Sequence, residues 1–463
     1  MKKIFLLLPL IAISLSAFSK EIESDQYRRN SLCTIFLAET KTDVSETSDF
    51  IVDAMNNYVF PDKFNNHCVL ESNIVDISNV PVEEKYRDQC IKAHKMGLGK
   101  ALGNVLASNV TIKSGNNDKT IYDSSQKKQD DEYYRYDLPA RILKYINDSH
   151  IANLLIAKWF NASEEQVDGS CYNMELIKSR GAYNASELDK LKAKEAIRGH
   201  AILEDAGMEL IPNTYVTVTV FEFYSLSKML EDAREHKDYG SFIENIKQFG
   251  KQVKSHANSF AGKSGYQVIA RTYLFKLDWD KNTEDNFINN YWGSPIQSLL
   301  GSEDFHMKYM GMQKSSVWFT TKSEDTFDLT ANAPLARLAT NRAIDETLAK
   351  LMDKFEDFRV KAPLINAEEG NISAFIGTKE GVNKKSKFEV LEKEYNEKDN
   401  TFRYHKVGTL NVDKNRIWDD REKLDNMEVN SEDKYDYNPN VDRTYFIGDA
   451  EKLTPGMLIR QCK

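Results

Sequence analysis

Two segments of strictly alternating side chains constrain the fold of this chain more than any other feature. Residues 215–223 read YVTVTVFEF, and residues 266–279 read YQVIARTYLFKLDW. Both combine β-branched and aromatic residues with a period of two, the pattern of a pleated strand with at least one buried face. We therefore predict two long β-strands. Other parts of the chain must pack against their buried faces.

Helical periodicity marks two long segments. Residues 186–207 open with Ser186 and place Asp189 three positions later, which is typical of a helix N-terminus, and apolar residues then recur on one face. Residues 334–358 begin with Pro334, which is favoured in a first helical turn. We predict one long helix over each range.

The N-terminal part of the chain reads as strand, helix, strand over residues 31–39, 45–58 and 68–77. Further helices are expected at residues 85–106, 151–160, 174–180 and 227–255. Residues 113–132 have almost no apolar side chains, which indicates a mobile polar loop.

The sequence pattern changes from helical periodicity to short strand-like segments after Lys361-Ala362-Pro363. Short strands are predicted there between Gly, Asn, Asp and Pro turns, at residues 373–378, 387–395, 401–411, 444–447 and 457–462. The insert at residues 413–440 reads as another mobile loop. The expected fold class is α+β: a mixed α/β sandwich with inserted helices over residues 20–365, followed by a small β-barrel over residues 366–463.

The first nineteen residues read as a cleavable secretory signal. Two lysines precede an apolar run at residues 4–13 that is too short for a membrane-spanning helix, and small residues lead to a cut between Ser19 and Lys20. The nearest cysteine, Cys33, lies well past this cut, so we expect no lipid anchor. No later run approaches the length of a transmembrane helix. The predicted location is periplasmic or extracellular.

Charge and cysteine content narrow the function classes. The formal net charge of −9 becomes −11 once Lys2 and Lys3 leave with the signal, which speaks against general nucleic-acid binding. The cysteines form no CxxC motif, so neither a redox motif nor a zinc knuckle is indicated. An oxidising compartment permits one or two disulfides, but their connectivity is left open. The five cysteines are Cys33, Cys68, Cys90, Cys171 and Cys462.

Two glycine-containing motifs resemble phosphate-binding loops. Residues 97–103, GLGKALG, follow a predicted helix, whereas a dinucleotide fingerprint needs a strand that delivers its glycines to a helix N-terminus. Residues 257–264, ANSFAGKS, precede a strand, which is the reverse of the order in a phosphate-binding loop. We predict no nucleotide or other cofactor at either motif.

Metal-binding and catalytic signatures are equally weak. His200 and Glu204 share one face of a predicted helix, but no third ligand is identifiable, so a structural role is favoured. We therefore assign no catalytic, cofactor-binding or metal residues and expect no cofactor. The aromatic clusters at residues 132–136 and 290–292 fit either recognition patches or core packing.

Several segments resemble known envelope proteins. Residues 174–223, with Pro212-Asn213-Thr214-Tyr215 before the strand, resemble the mixed α/β domain of CsgG-type curli-secretion proteins and TolB N-terminal domains. Residues 373–462 are similar to the SH3-like barrel that ends FlgT-type flagellar accessory proteins, notably in VGTL at 407–410 and PGMLI at 455–459. The sequence segments PDKFNNH, AKWFN and PGMLIR resemble segments found in a family of uncharacterised bacterial exported proteins.

These resemblances imply a non-enzymatic envelope accessory protein that binds other envelope proteins, including outer-membrane secretion or assembly components. Two alternatives stay open: a glycan- or surface-binding module, and an envelope hydrolase with a carboxylate site. A concave site with two close carboxylates of shifted pKa would favour the hydrolase, and a flat apolar patch would favour the accessory protein.

Overall fold

A computed structural model describes residues 28–38, 41–42, 47–107, 132–164, 171–184, 199–225, 265–320, 333–396, 401–422, 428–430 and 440–462. They form a mixed α+β structure with one eight-stranded sheet and one closed six-stranded barrel. The predicted signal, the predicted helix at 227–255 and the motif at 257–264 lie outside these ranges, as does the polar loop at 113–132 apart from its last residue. None of the helices described is long and apolar enough to cross a membrane.

The strands are numbered in chain order. They are β1 (Ser31–Leu37), β2 (Lys41–Thr42), β3 (Asn65–Asn66), β4 (Ile74–Val75), β5 (Thr214–Ser225), β6 (Gly265–Leu277), β7 (Met307–Thr320), β8 (Lys361–Asn366), β9 (Ser373–Ala374), β10 (Lys387–Asn396), β11 (Thr401–Val412), β12 (Glu428–Asn430), β13 (Thr444–Ile447) and β14 (Leu458–Cys462).

The helices in the described part of the chain are α1 (Thr47–Asn56), α2 (Glu84–Ala107), α3 (Leu138–Asp148), α4 (Ile151–Trp159), α5 (Glu175–Asn184), α6 (Gly199–Met208), α7 (Lys281–Asn290), α8 (Ile296–Leu300) and α9 (Ala333–Lys354). A π-helical turn at Tyr133–Asp137 leads directly into α3.

The large sheet has the strand order β12, β7, β6, β5, β1, β3, with β2 added to β5 and β4 added to β1. The strand β1 pairs in parallel with β5, β3 and β4, whereas β5, β6, β7 and β12 pair antiparallel in sequence. Both long strands predicted from alternation are present as neighbours, and β7 extends the sheet beyond them.

Helices cover both faces of the sheet. Cys33, Ile35 and Leu37 of β1 point into a core shared with α2 to α5, α7 and α8. Leu32 and Phe36 point into a second core with α9. All seven residues of β1 are buried because the strand contributes side chains to both cores, which is why SLCTIFL lacks the alternation of a half-exposed strand.

The predicted small β-barrel is confirmed as a closed barrel in the order β10, β11, β13, β9, β8, β14, with antiparallel pairing throughout. Its core includes Phe388, Leu410 and Phe446. The first barrel strand, β8, runs across the domain boundary predicted between residues 365 and 366.

Three predictions about local structure are wrong. Residues 373–378 are predicted to be one strand, but only Ser373–Ala374 is a strand, and a 3-10 helix begins at Thr378. The insert at 413–440 was predicted to be a loop, but it contains β12, which pairs antiparallel with the end of β7 and so joins the large sheet. Residues 68–77 were predicted to be one strand, but only Ile74–Val75 is extended and paired. Since β3 pairs with the start of β1 and β4 pairs with its end, the chain between them leaves the sheet.

Two glycines set the crossing of α5 and α6. A Cβ atom at Gly181 would lie 1.8 Å from the Leu203 carbonyl oxygen, and one at Gly207 would lie 2.1 Å from the Ile177 carbonyl oxygen. The two helices are therefore in backbone contact, and Gly207 is a packing residue inside α6.

The Gly181→Ala substitution should force α5 and α6 apart. Overpacking of this kind costs about 1–3 kcal/mol, and we expect it to outweigh the roughly 1 kcal/mol by which alanine favours a helix. Urea denaturation should show a lower free energy of unfolding for this variant. The control is Gly301→Ala, because its Cβ would lie 3.4 Å from the nearest atom. Equal midpoints for Gly181→Ala and the wild type would contradict the backbone contact.

Candidate functional site

The strongest candidate site is an exposed apolar surface at the end of α7. Asp280 caps this helix by accepting a hydrogen bond from the Thr283 amide at 2.9 Å. Phe287 is fully buried, whereas Ile288 and Trp292 are 45% and 38% exposed. Exposed large apolar side chains are few in the described chain, and two of them, Ile288 in α7 and Trp292 in the turn that follows it, mark this end of the helix.

An aromatic stack holds Trp292 in place. Its ring lies 5.8 Å from the Tyr172 ring at an interplanar angle of 24°, and 5.6 Å from the Phe160 ring at 79°. Phe160 in turn stacks on Phe287 at 4.3 Å. Offset-stacked and edge-to-face pairs of this kind stabilise one ring orientation. Trp292 is therefore presented to solvent by the large-sheet core and not by a free loop.

Polar side chains lie on a different side of α7 from Ile288, since Asn286 and Asn290 are each two positions from it and residues two apart do not face each other on a helix. Tyr291 donates a hydrogen bond to Asp304 Oδ2 at 2.6 Å, and Asn286 donates to the same oxygen at 3.0 Å. These two bonds hold the pKa of Asp304 below its usual value, so this carboxylate is charged at neutral pH. Asn290 donates to Asn286 Oδ1 at 2.6 Å. We call the exposed apolar pair Ile288 and Trp292 the α7 surface.

The structure separates the two aromatic clusters that the sequence left ambiguous. The cluster at 290–292 contributes Trp292 to the α7 surface, whereas Tyr134 of the cluster at 132–136 is buried under the sheet. Sequence reasoning missed Ile288 as a surface residue. The helix α7 buries Phe287, and the next residue, Ile288, points away from that buried side chain because successive helical residues lie about 100° apart around the axis.

A buried polar cluster lies between β1, β3, α4 and α5. The Arg180 guanidinium donates to Ser31 Oγ at 2.8 Å and to His67 Nδ1 at 2.7 Å, and it lies 4.4 Å from the centre of the Trp159 ring. His67 Nε2 lies 2.9 Å from the Leu155 carbonyl oxygen, so Nε2 carries the hydrogen. Burial and the Arg180 charge lower the pKa of His67 well below its usual value. Both ring nitrogens of His67 make hydrogen bonds inside the protein, so this histidine is not available as a base.

A second buried cluster lies beneath the π-helical turn. The Tyr134 hydroxyl donates to Glu222 Oε1, and Arg271 Nη1 lies 2.8 Å from the same oxygen. Burial alone would raise the pKa of Glu222, but Arg271 and Tyr134 outweigh it and hold this pKa below its usual value. Glu222 is therefore an ionised partner in a buried ion pair, which does not suit a general acid.

Charged side chains also fill the junction between the barrel and α9. Arg337 Nη2 lies 3.1 Å from Glu422 Oε1, and Asn341 donates to Glu422 Oε2 at 3.1 Å. Gly381 has a φ of +82°, and a Cβ there would lie 3.3 Å from Ala349 Cβ. This glycine provides the turn that lets the barrel approach α9.

Two carboxyl groups at this junction have raised pKa values. Burial raises the pKa of Asp345 to about 7, with Lys379 opposing the shift and Asp420 adding to it. Burial and the charge of Asp420 raise the pKa of Glu380 well above its usual value. Glu380 is only 6% exposed, and its Oε2 accepts a hydrogen bond from the Gly377 amide at 2.7 Å. Glu380 is therefore a buried group that caps its own turn.

The structure describes two of the motifs that the sequence offered as candidate sites, residues 97–103 and the His200 and Glu204 pair. Residues 97–103 lie inside the continuous helix α2, so no strand leads into them as a dinucleotide fingerprint requires. Glu204 of the His200 and Glu204 pair lies 2.9 Å from Lys178 Nζ, in an ion pair between α5 and α6. Within the described ranges, no group of three or more His, Cys, Asp or Glu side chains is placed to hold a metal ion.

Comparison with known proteins identifies no family for this chain. No protein-family model matches the chain, and no curated protein shows significant similarity to it.

The junction predicts a pH dependence of stability. Asp345 has a folded pKa of about 7, above its value of about 4 in an unfolded chain. Below about pH 4, both the folded and the unfolded chain hold this proton, and Asp345 does not lower the free energy of unfolding. As the pH rises toward 7, the unfolded chain loses the proton more readily than the folded chain does, so the free energy of unfolding decreases. Asp345→Asn should remove this loss, so its urea midpoint relative to the wild type should be higher at pH 8 than at pH 5.

The matched control for this experiment is Asp442→Asn. Asp442 is exposed, and its hydrogen bond from Arg443 holds its pKa below the usual value, so it is ionised at both pH values. Its effect on the midpoint should be the same at pH 5 and pH 8. An equally pH-independent effect of Asp345→Asn would contradict the raised pKa.

Proposed function

We propose that this protein is a non-enzymatic accessory protein of the bacterial cell envelope, and that it binds other envelope proteins through the α7 surface. The observation that carries the proposal is the exposure of a tryptophan on a rigid aromatic stack. A preordered aromatic side chain loses little conformational entropy on binding, which is why tryptophan is enriched among the residues that dominate protein interfaces.

The surroundings of Trp292 suit a protein partner. Ile288 adds exposed apolar area, and Asn286, Asn290 and Asp304 supply polar groups on the other side of α7. The ionised Asp304 further favours a partner surface that offers a lysine or arginine side chain or hydrogen-bond donors.

The family resemblance and the export signal are part of the same proposal. The sheet with helices on both faces supports a relationship to the CsgG and TolB N-terminal domains. The closed antiparallel barrel supports a relationship to the SH3-like barrel of FlgT-type proteins. Export with cleavage between Ser19 and Lys20, and without lipidation, would bring the α7 surface into contact with envelope proteins.

Glycan binding is the second candidate. Its support is the exposed indole ring of Trp292, since an aromatic ring packs against the apolar face of a sugar. The same residues would carry either function, so the two candidates differ in the ligand and not in the site.

The proposal is tested by affinity capture from solubilised native envelope with the purified protein as bait. Trp292→Ala should reduce recovery of the partner at least tenfold, which corresponds to about 1.4 kcal/mol. Ile288→Lys places a charge on the same surface without touching the aromatic stack, and it should also weaken capture. Ile447→Ala is the matched control, because Ile447 is 59% exposed on the barrel.

The outcomes separate the candidates. Specific loss of a protein partner with both α7 variants, and none with Ile447→Ala, supports the accessory function. Retention of soluble peptidoglycan fragments by the wild type but not by Trp292→Ala would favour the glycan alternative. Equal capture by all variants would contradict the assignment of the α7 surface.

A further inference from the structure

The sulfur atoms of Cys33 and Cys68 are in direct contact. Their Sγ atoms lie 2.7 Å apart, only a fraction of an ångström beyond the length of a disulfide bond, about 2.04 Å. Cys33 is in β1, and Cys68 follows β3 in the adjacent part of the sheet.

The sheet topology produces this contact. The strand β3 pairs with the first residues of β1, and the His67 amide bonds to the Leu32 carbonyl at 2.9 Å. The chain then departs from β1 and returns at Asn73, whose carbonyl accepts a bond from the Phe36 amide at 2.7 Å. Cys68 is thus held beside the middle of β1 by pairing on either side of it.

The two thiols differ in environment. Cys33 is fully buried, whereas Cys68 is partly exposed. Lys158 Nζ donates to the Cys68 carbonyl at 2.8 Å, and Asn73 Oδ1 lies 3.1 Å from Cys68 Sγ. The hydrogen bond from Cys33 lowers the pKa of Cys68 to about 7, with Lys158 acting in the same direction and burial opposing. An accessible thiolate beside a buried thiol is the arrangement of an attacking and a resolving cysteine.

We propose that Cys33 and Cys68 are a dithiol–disulfide couple that reacts with disulfides, either of small thiols such as glutathione or of a thiol oxidoreductase. The Cys68 thiolate attacks one sulfur of the donor disulfide, forms a mixed disulfide and releases one donor thiolate. Cys33 then loses its proton and attacks Cys68 Sγ, which releases the second donor thiolate. Both thiolates take up a proton, so two cysteine thiols are oxidised and one donor disulfide is reduced to two thiols.

The other cysteines provide internal comparisons. Burial raises the pKa of Cys90 to about 12, so its thiol is unreactive at neutral pH. Cys462 is partly exposed on β14 of the barrel. Since it lies outside the large sheet, Cys462→Ser is a matched control for cysteine removal.

The test is a titration of the purified full chain with buffers of increasing oxidised to reduced glutathione ratio, followed by acid quenching, alkylation and peptide mapping. Two thiols should be lost together, one cross-linked peptide should contain Cys33 and Cys68, and three alkylated cysteines should remain. The oxidation rate should rise with pH around 7, because Cys68 reacts as its thiolate. A cross-link to Cys90, Cys171 or Cys462, or a lasting glutathione adduct on Cys68, would overturn the proposal.

Variants assign the order of attack. Cys33→Ser should accumulate glutathione on Cys68, whereas Cys68→Ser should leave Cys33 unmodified, and Cys462→Ser should form the cross-link as the wild type does. The reverse pattern for the first two variants would contradict Cys68 as the attacking group. The wild-type peptide map decides the pairing even where a serine variant does not fold.

Discussion

The structure depends on the parallel pairing of β1 with β5 in the middle of the large sheet. All seven residues of β1 are buried, and alternate side chains enter the two cores on opposite faces. The strand must therefore be covered on both sides, which requires α9 on one face and the helices α2 to α5 on the other. The same strand positions β3 and β4, and through them Cys68. A change that weakens the β1 pairing would act on both cores at once.

The α7 surface is a consequence of one of these cores. The helix follows β6 after the Asp280 cap, and Phe287 inserts among Phe160, Tyr172 and Trp279. Because these rings are fixed by the core beneath them, Trp292 is held at the surface with little freedom. Burying its remaining exposed area against a partner would stabilise a complex without a large ordering cost. The α7 surface thus derives its rigidity from the packing that stabilises the sheet.

Much of the fold was predictable because it rests on strong local patterns. The alternation of β-branched and aromatic residues in β5 and β6 and the periodicity of α9 predicted these elements, and all three are present in the structure, where β5 and β6 are buried on both faces. The strand β7 was missed because Gly311 and an irregularity in the pairing with β6 interrupt its alternation. The strand β12 was missed because its three residues are ordered by pairing with β7, a contact that no local pattern encodes. The aromatic cluster at residues 290–292 indicated part of the α7 surface in the sequence. Only the structure shows that Tyr291 is partly buried while Trp292 remains exposed.

The most direct test of the α7 surface as a recognition site is photo-crosslinking from within it. A photoreactive amino acid at position 288 lies beside Trp292 without disturbing the aromatic stack, and one at position 447 samples the exposed surface of the barrel. Irradiation in intact cells should give a discrete adduct with an envelope protein from position 288 and none from position 447. Adducts from position 447 alone, or none from either position, would contradict the account.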